Sequence, residues 1–262
     1  MTANDHQDTK PMSIRRRLFC QIMAFGGSGW VMGKMMNQNA HAAEGNSYHH
    51  IAPNVKTSFN HHISYPDIDP SAFVHPLASV IGNIYLGKRV MVSPCASIRG
   101  DEGSPIYIGD HSNVQDCCVI HALETFENER EVSRNLFEVN GKKYAVYIGK
   151  RVSLAHQSQV HGPAVVGHNV FVGMQSLVFK AVIANDCVIE PGAKVVGVRI
   201  NAGKYVPMGM ILNNQKDADN LPTITDDYPF KSLNNGVVHV NTQLADGYNR
   251  KIPIEMLDEG QH

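Results

Sequence analysis

Charge, aromatic surface and long apolar runs are all scarce in this chain of 262 residues. Charged residues are 18% of it and aromatics 7%, with a single tryptophan. Lys and Arg total 23 against 24 Asp and Glu, a net charge of −1, so there is no basic field to hold nucleic acid or another polyanion. The five cysteines include no C-x-x-C pair, which leaves a thiolate metal site unsupported. The apolar stretch from Leu18 to Met36 is broken by Lys34 and several glycines. It falls short of the ~20 apolar residues that a lasting membrane span needs. Few charges and few aromatics suit a solenoid built from small and β-branched side chains.

Residues 1–42 read as an export signal. Arg15-Arg16-Arg17 precedes the apolar stretch, and Ala40-His41-Ala42 is a small-x-small cleavage motif ahead of Ala43. Ser13-Ile14-Arg15-Arg16-Arg17-Leu18-Phe19 resembles a twin-arginine signal. The bland alternative is a basic N-terminal extension. Export predicts a periplasmic or secreted protein that has lost Cys20 and keeps Cys95, Cys117, Cys118 and Cys187. An oxidising compartment permits disulfides. Most of these cysteines fall at small-residue positions of a repeat, so the expectation is buried structural thiols.

That repeat dominates the rest of the chain. Aliphatic residues recur every six positions at Val74, Val80, Leu86, Val92 and Ile98, and again at Ile108, Val114 and Ile120. A third run is Ile148, Leu154, Val160, Val166, Val172 and Val178, followed after a one-residue slip by Ile183, Ile189 and Val195. A six-residue period does not fit an α-helix, which turns in ~3.6 residues. One hexad makes a short strand and a corner, with the aliphatic side chain inward. Three hexads make a coil of a triangular prism, and stacked coils pair as parallel ladders. Gly often follows the aliphatic residue, as at Gly87, Gly109, Gly149, Gly167 and Gly173. The expectation is that it serves the corner through backbone conformations that other residues resist.

The fold expected is therefore mainly β: a triangular parallel β-helix over 69–200, after an N-terminal extension over 43–68. Two segments break the period, Gly100 to Tyr107 and an acidic loop over 122–146 that carries Glu124, Glu127, Glu129, Glu131 and Glu138. Loops that leave a rigid scaffold are where function usually sits. Residues 201–262 read as a C-terminal helical segment, with a short helix from Lys216 to Asn220 and a longer α-helix from Tyr228 to Tyr248. Val237, Val240, Leu244 and Tyr248 have helical spacing and are expected to pack on the prism.

Fourteen histidines are present. His49-His50 and His61-His62 lie outside the periodic segments and read as solvated. His121 follows Ile120, His161 follows Val160, and His156 lies two residues after Leu154. All three project outward near corners. Neutral imidazoles are the usual zinc ligands, and three with one open position make a catalytic site. Yet His156 and His161 fall in adjacent hexads, hence at different corners, and one prism cannot easily gather all three. Prisms side by side can, so the spacing points to an oligomer with shared sites. Arg99, Asp101, Glu102, Asn113 and Gln115 lie at corners or on the first excursion. The residues alone leave them open as solvated, capping or interface groups.

Five strings carry a family resemblance. They are Ser93-Pro94, Ser97 to Gly103, Ser112 to Asp116, His121 to Thr125, and Ser153 to Pro163 with its His156-Gln157-Ser158-Gln159-Val160-His161 core. Together they resemble the γ-class carbonic anhydrases of the archetypal subtype with the acidic loop, from about Asp69 to Tyr248. The resemblance implies a left-handed β-helix capped by a C-terminal helix, and a homotrimer. It implies that His121 and His161 of one subunit and His156 of its neighbour hold Zn2+, with Fe2+ or Co2+ equally compatible with such ligands. Arg99 and Asp101 are implied to pair across the trimer interface. Glu102 and Gln115 are implied to hydrogen-bond the metal-bound hydroxide and product, Asn113 and Asn241 to line the CO2 pocket, and Glu124 to move protons. Three positions depart from the pattern: Gly100 stands for a Ser, His239 for a Tyr, and Phe59 near a Trp position.

The activity this implies is reversible hydration of CO2 to bicarbonate and a proton. A metal on three neutral imidazoles lowers the pKa of bound water to about 7. Two other classes share parts of the pattern. A hexapeptide-repeat acyltransferase uses the same fold with a His base and an acyl-CoA groove, and export argues against it. A catalytically silent γ-class-like scaffold is opposed by the intact ligand set with Glu102, Gln115 and Glu124.

Overall fold

The computed structural model describes residues 50–250, so the expected export signal lies outside the described residues. The chain winds into a β-helix with three parallel faces. The first face has eight strands, from Ile51–Ala52 to Ile211–Leu212, and the second and third have seven each. Each coil runs first face, second face, third face, and each strand pairs with its equivalent one coil on. Thus Val80 faces Ile98, Ile120 faces Val160, and Leu154 faces Val172.

The inward column is as the period requires. Leu86, Val92, Ile98, Ile108, Val114, Ile120, Ile148, Val166, Val172 and Val178 are all fully buried. Each such side chain contributes roughly 1.5–3 kcal/mol through burial. A second inward column of smaller residues includes Ala96, Ser112, Cys118, Ser158, Ser176 and Cys187. Its polar members are satisfied: Ser112 Oγ donates to the Gly149 carbonyl at 2.9 Å and accepts from the Val152 amide at 3.0 Å. Cys118 and Cys187 are therefore the buried structural thiols expected, whereas Cys95 and Cys117 are exposed.

The corners differ from the expectation. The left-handed backbone is taken by the third residue after the inward aliphatic: Arg89, Cys95, His111, Cys117, Arg151, Gln157, Asn169, Gln175 and Asp186, with φ between 53° and 62°. The glycine directly after the aliphatic has a different task. A Cβ on Gly149 would lie 2.7 Å from the backbone of Gly167 in the next coil, so this glycine permits close stacking.

The prism is also longer than its clearest repeat. Ile200, Val206 and Leu212 continue the inward column past residue 201, with strands at Tyr205–Val206 and Ile211–Leu212. At the other end Ile51–Ala52, within the expected extension, already pairs with the first face. Helix α1 (Gln215–Asp219) follows, N-capped by Asn214, whose side chain accepts from the Asp217 amide. Helix α2 spans Leu233–Asn249, starting later than the sequence implied. Before it, the Tyr228 hydroxyl is buried and donates to Glu190 at 2.8 Å.

Helix α2 lies along the third face, and only part of the expected stripe meets it: Tyr248 stacks on Phe73 with ring centroids 4.7 Å apart, and Val237 packs against the cluster of Ala155, Phe171 and Val188. Val240, Leu244 and Tyr248 are 53%, 41% and 53% exposed, while Asn234, Val238, Asn241, Thr242 and Ala245 are buried. Two polar residues of α2 find partners at the corners. Asn234 donates to the Arg151 carbonyl and to Asn169 Oδ1, each at 2.9 Å, and Asp246 pairs with Arg89.

Candidate metal centre

Three excursions leave the prism at one corner, between the first and second faces: 53–66, 101–105 and 122–145. They interlock. Asn60 Nδ2 donates to the Asp101 carbonyl at 3.1 Å, and the Thr125 amide and hydroxyl both donate to the Glu102 carbonyl, at 3.1 and 2.7 Å. The acidic loop folds as two hairpins, Phe126–Glu127 with Arg130–Glu131 and Phe137–Val139 with Lys142–Tyr144. His61 is exposed, as expected of a solvated histidine, and lies 3.1 Å from Glu129 on the first hairpin. A Cβ at Gly100 would lie 2.5 Å from the Asn83 carbonyl, so the glycine that departs from the family pattern sits where the backbone packs tightly.

At this corner the outward column of the first face runs Arg99, His121, His161, Phe179. The rings of His121 and His161 meet edge to face with centroids 5.2 Å apart. His121 Nε2 contacts Glu102 Oε1, and the Arg99 guanidinium lies 2.7 Å from the same nitrogen. Asp101 pairs with Arg99 at 3.3 Å within the one chain, where the resemblance implied a pair between subunits. The neighbouring Asp101 and Glu102 carboxylates raise His121 to about 9. Burial pushes the Asp101 carboxyl up, but its contacts with His121 and Glu102 and the Arg99 charge hold it below the usual carboxylate range. Asp101 Oδ1 and Glu102 Oε2 are buried without a hydrogen-bond partner. Glu124, exposed, begins the acidic loop three residues after His121.

His156 is elsewhere, at the corner between the third and first faces. Its Nδ1 lies 3.0 Å from Asp116, a partner that the sequence reading did not assign. Gln115 donates to Asn113 Oδ1 at 3.0 Å, and Asn113 donates to Ser153 at 2.9 Å. A concavity of about 610 Å³ joins His156, Gln115 and Asp116 to Asn241, Val237, Val240 and Leu244 of α2. His239 is exposed beside Gln243 rather than in this concavity. Phe59 lines a separate cavity of about 290 Å³ with His61, His62, Phe126 and Glu129.

One chain thus holds two histidine-bearing clusters at two corners. Among the described residues, the group with three possible ligand atoms within 4.8 Å is Asp101, Glu102 and His121, not the three histidines. The chemistry of the donors nevertheless fits a histidine-bound cation. His161 Nδ1 faces the Gly162 carbonyl at 3.0 Å and His156 Nδ1 faces Asp116, so in each the other ring nitrogen is left as a ligand.

No protein-family model matches the chain. A carbonic anhydrase of Methanosarcina thermophila is 51% identical over 227 residues, 86% of this chain and 92% of that protein. The chain belongs to the γ-class carbonic anhydrase family. A carboxysome assembly protein of Nostoc is 38% identical across 73% of this chain, matching 33% of its own length. A hexapeptide transferase family protein of Anaplasma phagocytophilum superposes with a TM-score of 0.54 at 23% identity, covering 71% of this chain and 93% of that one. That likeness is one of fold. The family is metal-dependent, and among the described residues Asp101, Glu102 and His121 form a group that could hold an ion.

Proposed function

We propose that the chain catalyses reversible hydration of CO2 to bicarbonate and a proton, as a homotrimer whose sites lie between subunits. The 51% identity to a carbonic anhydrase across nearly the whole of that protein carries the reading. His121 and His161 of one subunit and His156 of the next would hold the ion, Zn2+ or equally Fe2+ or Co2+. When bound, the ion supplies water acidified to a pKa of about 7. The two half-sites are different surfaces, so they meet in a head-to-tail contact, which closes into a ring. The exposed apolar residues Leu233, Val240 and Leu244 beside one half-site support such a contact.

The remaining roles follow from hydrogen bonding. Gln115 spends its amide N–H on Asn113, which leaves its carbonyl oxygen to accept from the reacting water or from the bicarbonate hydroxyl. Glu102 offers a carboxylate from the opposite half-site, with one oxygen against His121 and the other unpartnered. Asn241 lines an apolar concavity suited to CO2, which has no dipole for polar groups to grip, and Asn113 is buried behind it, bonded to Gln115. Glu124, exposed at the loop base, carries the released proton to buffer.

Export belongs to the same proposal, with a periplasmic or secreted location, and rests on Arg15-Arg16-Arg17 and Ala40-His41-Ala42. No helix among the described residues is long and apolar enough to cross a membrane. Metal analysis of anaerobically purified protein, with CO2 hydration and light scattering on the same sample, tests the reading. The expected result is about one ion per chain, a trimer, and hydration that tracks metal content. Metal-replete protein without hydration activity would remove it.

A further inference from the structure

The corner between the third and first faces carries two thiols in register. Val92 pairs with Val114 on one side of the turn, and Ser97 pairs with Val119 on the other. Both pairings have the same offset, so the turns between them are equal in length and Cys95 lies directly over Cys117. Both residues have the left-handed backbone, φ 60° and 58°, so their side chains leave the corner in parallel. Their separation is one inter-strand step, ~4.8 Å, within the ~4.4–6.8 Å Cα range of disulfides. Both are exposed. Partial desolvation and the adjacent Cys95 thiol push the Cys117 thiol upward, as expected of sulfurs in reach of one another. Further along the same corner, Gln157 and Gln175 show that stacked residues here do join, through a hydrogen bond of 2.9 Å. Cys118 and Cys187 are a different kind of thiol, buried and donating to the carbonyls of Ala155 at 3.1 Å and Asn201 at 3.2 Å.

We propose that Cys95 and Cys117 are a disulfide-forming pair that staples two coils of the prism beside Gln115, Asp116 and His156. The oxidant is a small or protein disulfide. One cysteine thiolate attacks it, forming a mixed disulfide and expelling one thiolate. The second cysteine thiolate then attacks the mixed disulfide and expels the other. The two thiol protons pass to the two expelled thiolates, so the pair is oxidised by two electrons and the oxidant is reduced to two thiols. The bond ties the turn that holds Ser93 to the turn that holds Gln115 and Asp116, all three of which line the concavity with His156. The inference rests on register and exposure, and is independent of the carbonic anhydrase reading.

Peptide mapping tests it. The purified full chain is incubated with oxidised glutathione, its remaining thiols are alkylated in denaturant, and the digest is analysed by mass spectrometry. The expected result is a Cys95–Cys117 cross-linked peptide that dithiothreitol releases, with Cys118 and Cys187 alkylated. In Cys95→Ser, Cys117 is expected instead as a glutathione adduct, because its resolving partner is gone. The proposal is overturned if Cys95 and Cys117 are recovered alkylated, if both carry glutathione in the unsubstituted chain, or if either is joined to another cysteine or another subunit.

Discussion

His121 and His161 stand opposite one another on adjacent coils of one face, with ring planes at 83°. His156 takes no part in that pair, because it sits one corner away against Asp116. A site shared between subunits therefore makes a prediction that a site within one chain does not. His121→Ala and His156→Ala should each lose metal and drop CO2 hydration on the order of 10²-fold or more. Co-expressed, the two variants should recover activity, because a site built from the intact half of each is complete. Random assortment in a ring restores about a quarter of the sites. His121→Ala co-expressed with His161→Ala damages the same half twice and should recover nothing. Equal recovery in both mixtures would sink the shared-site arrangement.

Glu124 differs from the ligands in being exposed and on the loop. Glu124→Ala should keep its metal yet lower turnover in dilute buffer, by roughly 10²-fold if it supplies proton transfer. Added imidazole should restore the rate by carrying the proton instead. A deficit that imidazole leaves untouched would assign Glu124 to loop structure, where its carbonyl already accepts from Asn135 at 2.7 Å.

The prism was legible because its inward residue recurs at a fixed period, and a buried column tolerates little else. Its last coil was not, because a second one-residue slip between Val195 and Ile200 hides the continuation to Val206 and Leu212. Helical spacing placed Val237 and Tyr248 against the prism correctly but put Val240 and Leu244 on the wrong side of α2. The buried side is amide-rich, and Asn234 is held there by corner groups that no local pattern announces. The three histidines could be picked out one by one. Their orienting partners could not, since Asp116 and His156 are 40 residues apart and meet only because coils stack.

The two kinds of glycine can be told apart by substitution. Gly149→Ala places a methyl group 2.7 Å from the Gly167 backbone, which cannot move without disturbing the ladder. It should cost about 1–3 kcal/mol in chemical denaturation. Gly236, in α2, has nothing within 4 Å of an added Cβ. Gly236→Ala should be neutral or stabilise by up to about 1 kcal/mol, through helix propensity. Equal effects would mean that close stacking between coils is not what holds glycine at position 149.

The Arg89–Asp246 pair fastens α2 to the corner between the second and third faces, and its pH dependence has a definite sign. The hydrogen bond from Arg89 holds the Asp246 carboxyl below its ordinary value. A carboxylate depressed in the folded state adds stability above its unfolded pKa of about 3.9 and loses it as pH falls through the folded value. The side chains are 38% and 27% exposed, so solvent screening limits the contribution to roughly 0.2–1 kcal/mol. Unfolding free energies of the wild type and Arg89→Met should therefore differ by that amount near pH 6. The gap should close as the pH falls through the lowered value of the folded carboxyl, below which Asp246 is protonated in both. A gap that stays constant across this range would mean that Arg89 holds the helix through its aliphatic stem rather than its charge.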